Sequence, residues 1–119
     1  MTTVLQEEER TEVDNTWTDI GAEDTLFEDG ECSGVVVDGV KIALFRVAGN
    51  VYALDDICTH GNACLSEGDM DGFEIECPLH AGAFDIRNGK ALCAPLTRDT
   101  RSHPVCRRAD RILIQVKSK

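Results

Sequence analysis

The sequence predicts an all-β protein, a sandwich or barrel of short antiparallel strands. Three observations carry that prediction. Short apolar, β-branched runs recur along the chain, glycine-containing turn signals such as Asp38-Gly39 and Asn88-Gly89 separate them, and no long segment keeps a 3.6-residue hydrophobic period.

Residues 1–15 are polar, acidic and aperiodic, which predicts a mobile tail, and Trp17 opens a single domain over 16–119. Val35-Val36-Val37 reads as a strand, followed by the Asp38-Gly39 turn and a second strand over Val40–Val47. Ala48-Gly49-Asn50 turns the chain into a strand over Val51–Leu54. Further strands are expected at Phe73–Glu76, at Ala83–Ile86 before the Asn88-Gly89 hairpin, and at Arg111–Val116, where Ile112, Ile114 and Val116 share a face. Glu23-Asp24-Thr25 and Leu65-Ser66-Glu67 are the places where a helical turn can start. There is no repeat and no linker.

A chain of 119 residues suffices for one domain with a modest core and one site. The apolar fraction of 42% and charged fraction of 29% exclude a disordered or collagenous chain. No apolar run approaches the roughly 20 residues that span a bilayer. The N-terminus has no basic stretch before an apolar one and no twin-arginine pair, so a cytoplasmic location is expected. In a reducing compartment the six cysteines are metal ligands or buried thiols rather than a disulfide framework. The net charge of −10 resides in residues 1–31, where eleven acids face Arg10 alone. The remaining chain is neutral by count but polarised: residues 53–86 hold eight acids and no Lys or Arg, whereas residues 87–119 hold nine bases against Asp99 and Asp110. Such a surface excludes nucleic acid and favours partners with basic patches.

Inside the acidic stretch lies Cys58-Thr59-His60-Gly61, separated by residues 61–76 from Cys77-Pro78-Leu79-His80. Each loop supplies one thiolate and one imidazole, which points to two metal ions with unlike ligands: Cys58 and Cys77 on one iron, His60 and His80 on the other. Two ferric ions, two sulfides and two thiolates sum to zero charge, against −2 with four thiolates, so an added electron is easier to accept. Gly61 and Gly82 let the backbone approach the metal group, and Pro78 stiffens the second loop. A structural zinc site is the competing reading, since two Cys and two His also satisfy zinc. Common zinc fingers, however, keep the Cys pair together and the His pair together, unlike the order here.

The chain resembles the Rieske ferredoxins of bacterial aromatic ring-hydroxylating dioxygenase systems over about residues 16–117. The resemblance is carried by Ala53-Leu54-Asp55-Asp56-Ile57-Cys58-Thr59-His60-Gly61 and by Glu76-Cys77-Pro78-Leu79-His80-Ala81-Gly82. It implies an antiparallel β-sandwich of three sheets with an inserted two-loop cluster-binding lobe at about 56–97. It also implies one Rieske 2Fe-2S cluster per chain on Cys58, His60, Cys77 and His80. The segment from Gly89-Lys90 to Ala94-Pro95-Leu96-Thr97 resembles the loop that covers the cluster's third side in that family. High-potential members carry a bridging Cys and two hydroxyl donors where this chain has Leu79, Gly82 and Phe84, which leaves Cys64 without the implied partner. Fewer hydrogen bonds to sulfur imply a potential near the low end of the ~−150 to +300 mV Rieske range.

The resemblance implies a monomeric electron carrier without catalytic residues. It would take single electrons from an NAD(P)H-dependent flavoprotein reductase to a terminal oxygenase, docking transiently near the His60/His80 tip. Asp55, Asp56, Glu67 and Asp69 are expected to form an acidic rim there. A catalytic oxygenase subunit is a rival, but its additional iron needs two His and a carboxylate, and only His103 remains. The closer alternative is the small Rieske-like subunit of an assimilatory nitrite reductase. Elsewhere, Cys32, Cys93 and Cys106 read as buried small hydrophobes, and Cys64 as packing near the cluster loop. His103 reads as a surface strand residue, Arg98, Arg101, Arg107, Arg108 and Arg111 as a solvated face, and Trp17 and Phe45 as core.

Overall fold

A computed structural model describes residues 17–57, 63–78, 82–92 and 99–116. The elements are β1 (Thr18–Ala22), α1 (Glu23–Leu26), β2 (Cys32–Val37), β3 (Val40–Val47) and β4 (Asn50–Asp55), then a 3-10 turn (Leu65–Glu67). They continue with β5 (Asp69–Asp71), β6 (Glu74–Glu76), β7 (Ala83–Asp85), β8 (Ser102–His103), β9 (Val105–Arg108) and β10 (Arg111–Ile114). The strands form three sheets, in the orders β1-β10-β9, β2-β3-β4-β8 and β5-β6-β7. Every pairing among them is antiparallel. The expected three-sheet architecture is therefore present, and both places marked for a helical turn form one.

The four-stranded sheet is the middle layer, and the sequence of β3 shows why. Ile42 and Leu44 pack with Val51, Ala53, Phe27, Ile112 and Ile114 on one face. Ala43 and Phe45 pack with Leu54, Leu65, Ile75, Cys77, Phe84 and Ile86 on the other. A strand covered on both faces reads as a continuous apolar run rather than an alternating one. The first core joins the middle sheet to β1-β10-β9; the second joins it to β5-β6-β7 and to the segment after β4.

Two hairpins fix the register of the middle sheet. Asp38 and Gly39 (φ 52° and 80°) and Ala48 and Gly49 (φ 53° and 83°) both occupy the left-handed region that two-residue hairpin turns require. The second turn is one residue shorter than expected, because Asn50 pairs with Val47 and belongs to β4. The first and middle sheets are also tied by charge. Glu23 accepts from Arg107 Nε at 2.9 Å and from Arg46 at 3.3 Å, and Arg46 also reaches Glu31 at 2.7 Å. The arginine face expected from the sequence is thus largely an ion-paired one: Arg107 pairs with Glu23, Arg111 with Asp19 at 3.0 Å, and Arg101 with Asp55 at 2.9 Å. Arg98 lies outside the described residues, as do the tail over 1–15 and Cys93.

Trp17 is only partly buried, whereas Phe45 is fully enclosed. His103 departs most from expectation. It lies on a strand, but its side chain is 0% exposed, because β8 is drawn against β4 and the ring is held at 2.8 Å from Asp55.

Candidate metal centre

Three chain segments leave the described framework on the side of the second core, and each is closed at its base by hydrogen bonds. The first leaves β4 through Asp55, Asp56 and Ile57 and returns at Cys64, which bridges Ile57. Asp56 straps this loop shut. Its carbonyl accepts Leu65 N–H at 2.6 Å, its Oδ1 accepts Ser66 N–H at 2.7 Å, and its Oδ2 accepts the Ser66 hydroxyl at 3.0 Å. The 3-10 turn that follows is thereby capped from ten residues upstream, since Cys64 at its own cap position supplies no side-chain hydrogen bond.

The second segment links β6 to β7, and Cys77 N–H donates to Gly82 O at 3.0 Å across its base. Gly82 has φ 113°, a conformation open to glycine and strained for other residues, which is the local reason for glycine at this position. Cys77 is 1% exposed and packs with Leu65, Ile75 and Phe84. The third segment spans Leu92 to Asp99. Leu92 N–H donates to Ala83 O at 2.9 Å, Ala91 N–H to Asp99 Oδ1 at 2.8 Å, and Thr100 N–H to Gly89 O at 2.8 Å. The adjacent carbonyls of Gly82 and Ala83 therefore serve the second and the third segment in turn. Leu65 and Cys77 share one buried cluster, so the first and second loops rise from a common floor.

Of the four expected ligands, Cys77 is described; Cys58, His60 and His80 lie outside the described residues, as do Gly61, Leu79 and the Ala94–Thr97 part of the third segment. What is described suits an iron-sulfur group. The thiol of Cys77 is free and seated in an apolar floor that excludes water, and the chain offers no Lys or Arg between residues 53 and 86 to compete for it. Among the described residues, no three His, Cys, Asp or Glu side chains converge on a second metal position.

The remaining thiols are quiet. Burial raises the Cys64 pKa, and the Asp56 and Glu67 carboxylates push it further in the same direction. Cys32 is likewise raised by burial, then by Glu31 and Asp56, and its Sγ contacts Met70 Sδ at 3.7 Å. Cys106 is fully buried, as expected.

The acidic rim is smaller than the sequence suggested. Asp55 accepts from both Arg101 Nε and His103 Nε2, and Asp56 is 5% exposed inside its strap, so neither faces solvent as a free anion. Glu67 and Asp69 are exposed, joined by Asp71 and Glu74 on the third sheet. Sequence reading missed the Asp56–Ser66 strap and the Arg101–Asp55–His103 cluster. Their partners are ten residues apart in the first case and up to 48 in the second, so no local pattern announces them.

Comparison with known proteins agrees with this geometry. The model of the Rieske [2Fe-2S] domain matches residues 16–104. A Ralstonia protein, the ferredoxin component of naphthalene 1,2-dioxygenase/salicylate 5-hydroxylase systems, is 52% identical over 89 residues, covering 75% of this chain and 85% of that one. Among solved structures, a chain from the complex of reduced oxygenase and oxidized ferredoxin in carbazole 1,9a-dioxygenase superposes with a TM-score of 0.78 at 33% identity, covering 89% of this chain and 98% of that one. A nitrite reductase small subunit from Mycobacterium tuberculosis superposes with a TM-score of 0.71 at 28% identity, covering 87% and 96% of the two chains. With the loop bases, the buried thiol and a family match across most of the domain, the chain belongs to the Rieske [2Fe-2S] domain family.

Proposed function

We propose that this chain is the ferredoxin of an aromatic ring-hydroxylating dioxygenase system, with Cys58 and Cys77 on one iron of its cluster and His60 and His80 on the other. The bound 2Fe-2S group supplies a one-electron couple. The observation that carries the reading is the pair of hydrogen-bonded loop closures, Ile57 to Cys64 and Cys77 to Gly82, each enclosing one Cys and one His of the sequence motif.

The protein's residues hold and insulate the group rather than perform bond chemistry. The Asp56 strap closes the first loop and the Cys77–Gly82 bond the second, and both rise from the floor that Leu65 and Cys77 share, which would keep reorganisation on electron gain small. Leu65, Ile75 and Phe84 close the floor beneath Cys77. Phe84 and Gly82 bring no hydroxyl toward the sulfur atoms, so the reduced state gains little hydrogen bonding and the potential lies at the low end of the family range.

A flavoprotein NAD(P)H-dependent reductase and a terminal oxygenase are the partners, meeting the His60/His80 tip in turn. Oxygenase binding is supported by the relative of known structure whose complex with its oxygenase is named above. Exposed Glu67 and Asp69 favour a basic docking surface and disfavour nucleic acid. We further assign a monomer in the cytoplasm. No helix among the described residues is long and apolar enough to cross a membrane. The nitrite reductase small subunit is the weaker reading, because 28% identity to that chain stands against 52% to a dioxygenase ferredoxin.

The test is purification followed by iron and sulfide analysis, EPR of the reduced protein, and reduction of an oxygenase by NADH through a reductase with and without this chain. Two irons, a Rieske-type signal and transfer that depends on the chain are expected, and Cys77→Ser is expected to lose the cluster. A colourless zinc protein ends the ligand assignment. Co-purification with a large nitrite reductase subunit instead ends the dioxygenase assignment.

A further inference from the structure

We propose that Asp56 sets the redox poise of this protein: a buried carboxylate whose fixed negative charge, held in place by Ser66, biases the cluster toward its oxidised state. The inference rests on the ligand assignment above and goes beyond it.

Three features of Asp56 separate it from the surrounding acids. It is 5% exposed, while Glu67 and Asp69 face solvent. Among the described residues its two oxygens meet neutral donors only, the Ser66 amide at 2.7 Å and the Ser66 hydroxyl at 3.0 Å. Among the described residues it takes part in no ion pair, whereas its neighbour Asp55 is neutralised by Arg101 at 2.9 Å and faces His103 at 2.8 Å. A buried carboxylate without a cation is costly, and a fold built for stability alone would pair or replace it.

Its position makes the charge effective. Two peptide units separate Asp56 from Cys58, so their Cα atoms are at most about 7 Å apart. With Asp56 itself 5% exposed, its charge is screened less than that of the acids on the surface. At the loop base the Cys64 thiol is raised by burial, then by Asp56 and Glu67, against the Lys41 ammonium, and Cys32 on the neighbouring strand is raised by burial, Glu31 and Asp56. An electron arriving on a group between these loops is added negative charge in the same field. Oxidised and reduced states differ by that one charge, so a nearby fixed anion disfavours reduction.

The packing has been arranged to keep the carboxylate where it is. Gly34 of β2 lies against it, and a Cβ there would stand 2.9 Å from Ser66 Oγ and 3.2 Å from Asp56 Oδ2. The charge and the strap are also separable in principle. An asparagine can keep an acceptor toward the Ser66 amide and a donor toward the Ser66 hydroxyl oxygen, so Asp56→Asn removes the charge and retains the closure.

The experiment is a spectroelectrochemical titration of holoprotein in the wild type, D56N, S66A and E67Q, with thermal unfolding and amide exchange followed in parallel. Iron content and EPR of the wild type are read first, since their failure sinks the ligand assignment independently of any variant. D56N is expected to assemble the cluster and to shift the reduction equilibrium about tenfold toward the reduced form, about 59 mV for a one-electron couple. S66A, which keeps the charge and weakens the strap, is expected to exchange its loop-base amides faster but to stay within about twofold of the wild-type equilibrium. E67Q, an exposed charge screened by salt, is expected to do the same without faster exchange. A D56N equilibrium within twofold of wild type overturns the proposal. Equal shifts in D56N and S66A overturn it too, because the strap and not the charge would then govern. A D56N protein that holds no cluster overturns it as well, since the amide would have failed to replace the carboxylate in the closure.

Discussion

At the scale of single residues, the contrast between Asp55 and Asp56 shows how little a charge in a sequence says about its role. Adjacent on the chain, they point to opposite sides of the strand end, as the strand period of two requires. Asp55 meets His103 of β8 and Arg101 just before that strand, and Asp56 meets Ser66. Asp55 lies 2.8 Å from the Nε2 of His103, whose side chain is 0% exposed, and it accepts from Arg101 Nε as well. Asp55→Ala is therefore expected to destabilise the fold by about 1 to 3 kcal/mol, the cost of removing a hydrogen-bond partner from the buried His103 imidazole. Asp55→Asn should recover most of that loss, because its amide oxygen still accepts from the imidazole. Equilibrium unfolding in urea measures both. An Asp55→Ala protein as stable as the wild type would mean that His103 is satisfied without this contact.

At the scale of elements, local chemistry decided what could be read and what could not. The β2–β3 and β3–β4 hairpins were legible because Asp-Gly and Ala-Gly place glycine at the second turn position, flanked by strand-forming residues. The two Cys-His pairs stand out in the sequence because ligand chemistry demands those residue types at those separations, while the structure describes only the bases of their loops. By contrast, β5 reads Asp-Met-Asp, with no β-branched residue, and becomes a strand only because β6 pairs with it across Asp69–Glu76 and Asp71–Glu74. β8 is two residues long and ends at Pro104, so its pairing with β4 and the burial of His103 had no sequence signal. The β3–β4 turn also holds a local conflict. Ala48 sits at φ 53°, where an L-residue without a polar side chain is strained, while Asp38 in the equivalent position of the preceding turn is a favoured residue. Ala48→Asn creates the Asn-Gly pair that this turn type prefers and is expected to gain about 0.5 to 1 kcal/mol. The melting temperature should rise by about 2 to 6 °C, and no rise would show that the turn stores no such strain.

At the scale of the whole molecule, folding sorts the acids of residues 53–86 into different functions. Asp55 and Asp85 are consumed by Arg101 and Arg87, and Asp56 is buried. Glu67, Asp69, Asp71 and Glu74 remain exposed on the side of the middle sheet that carries the cluster loops. Within the third sheet, Asp69 lies opposite Glu76, and Asp71 opposite Glu74, which itself lies opposite Asp85. Like charges opposed across strands destabilise a sheet by a few tenths of a kcal/mol or more per pair. Their concentration beside the cluster loops, with Arg107 and Arg111 already paired on the first sheet at the other side of the molecule, gives the surface a direction. A partner with a basic patch is oriented toward the loops before contact, and the gain is in encounter rate rather than in affinity. Reversing two of these charges, Glu67→Lys with Asp69→Lys, is therefore expected to slow bimolecular electron transfer to the oxygenase by roughly tenfold at 20 mM salt. Near 1 M salt, where the Debye length falls to about 3 Å, the variant and wild type should converge. Stopped-flow reduction across that salt range measures the effect. The midpoint potential should stay close to wild type, because both residues are solvated. A rate difference that persists at high salt would mean that these side chains make direct contacts in the complex. The absence of any difference at low salt would remove this face from the encounter.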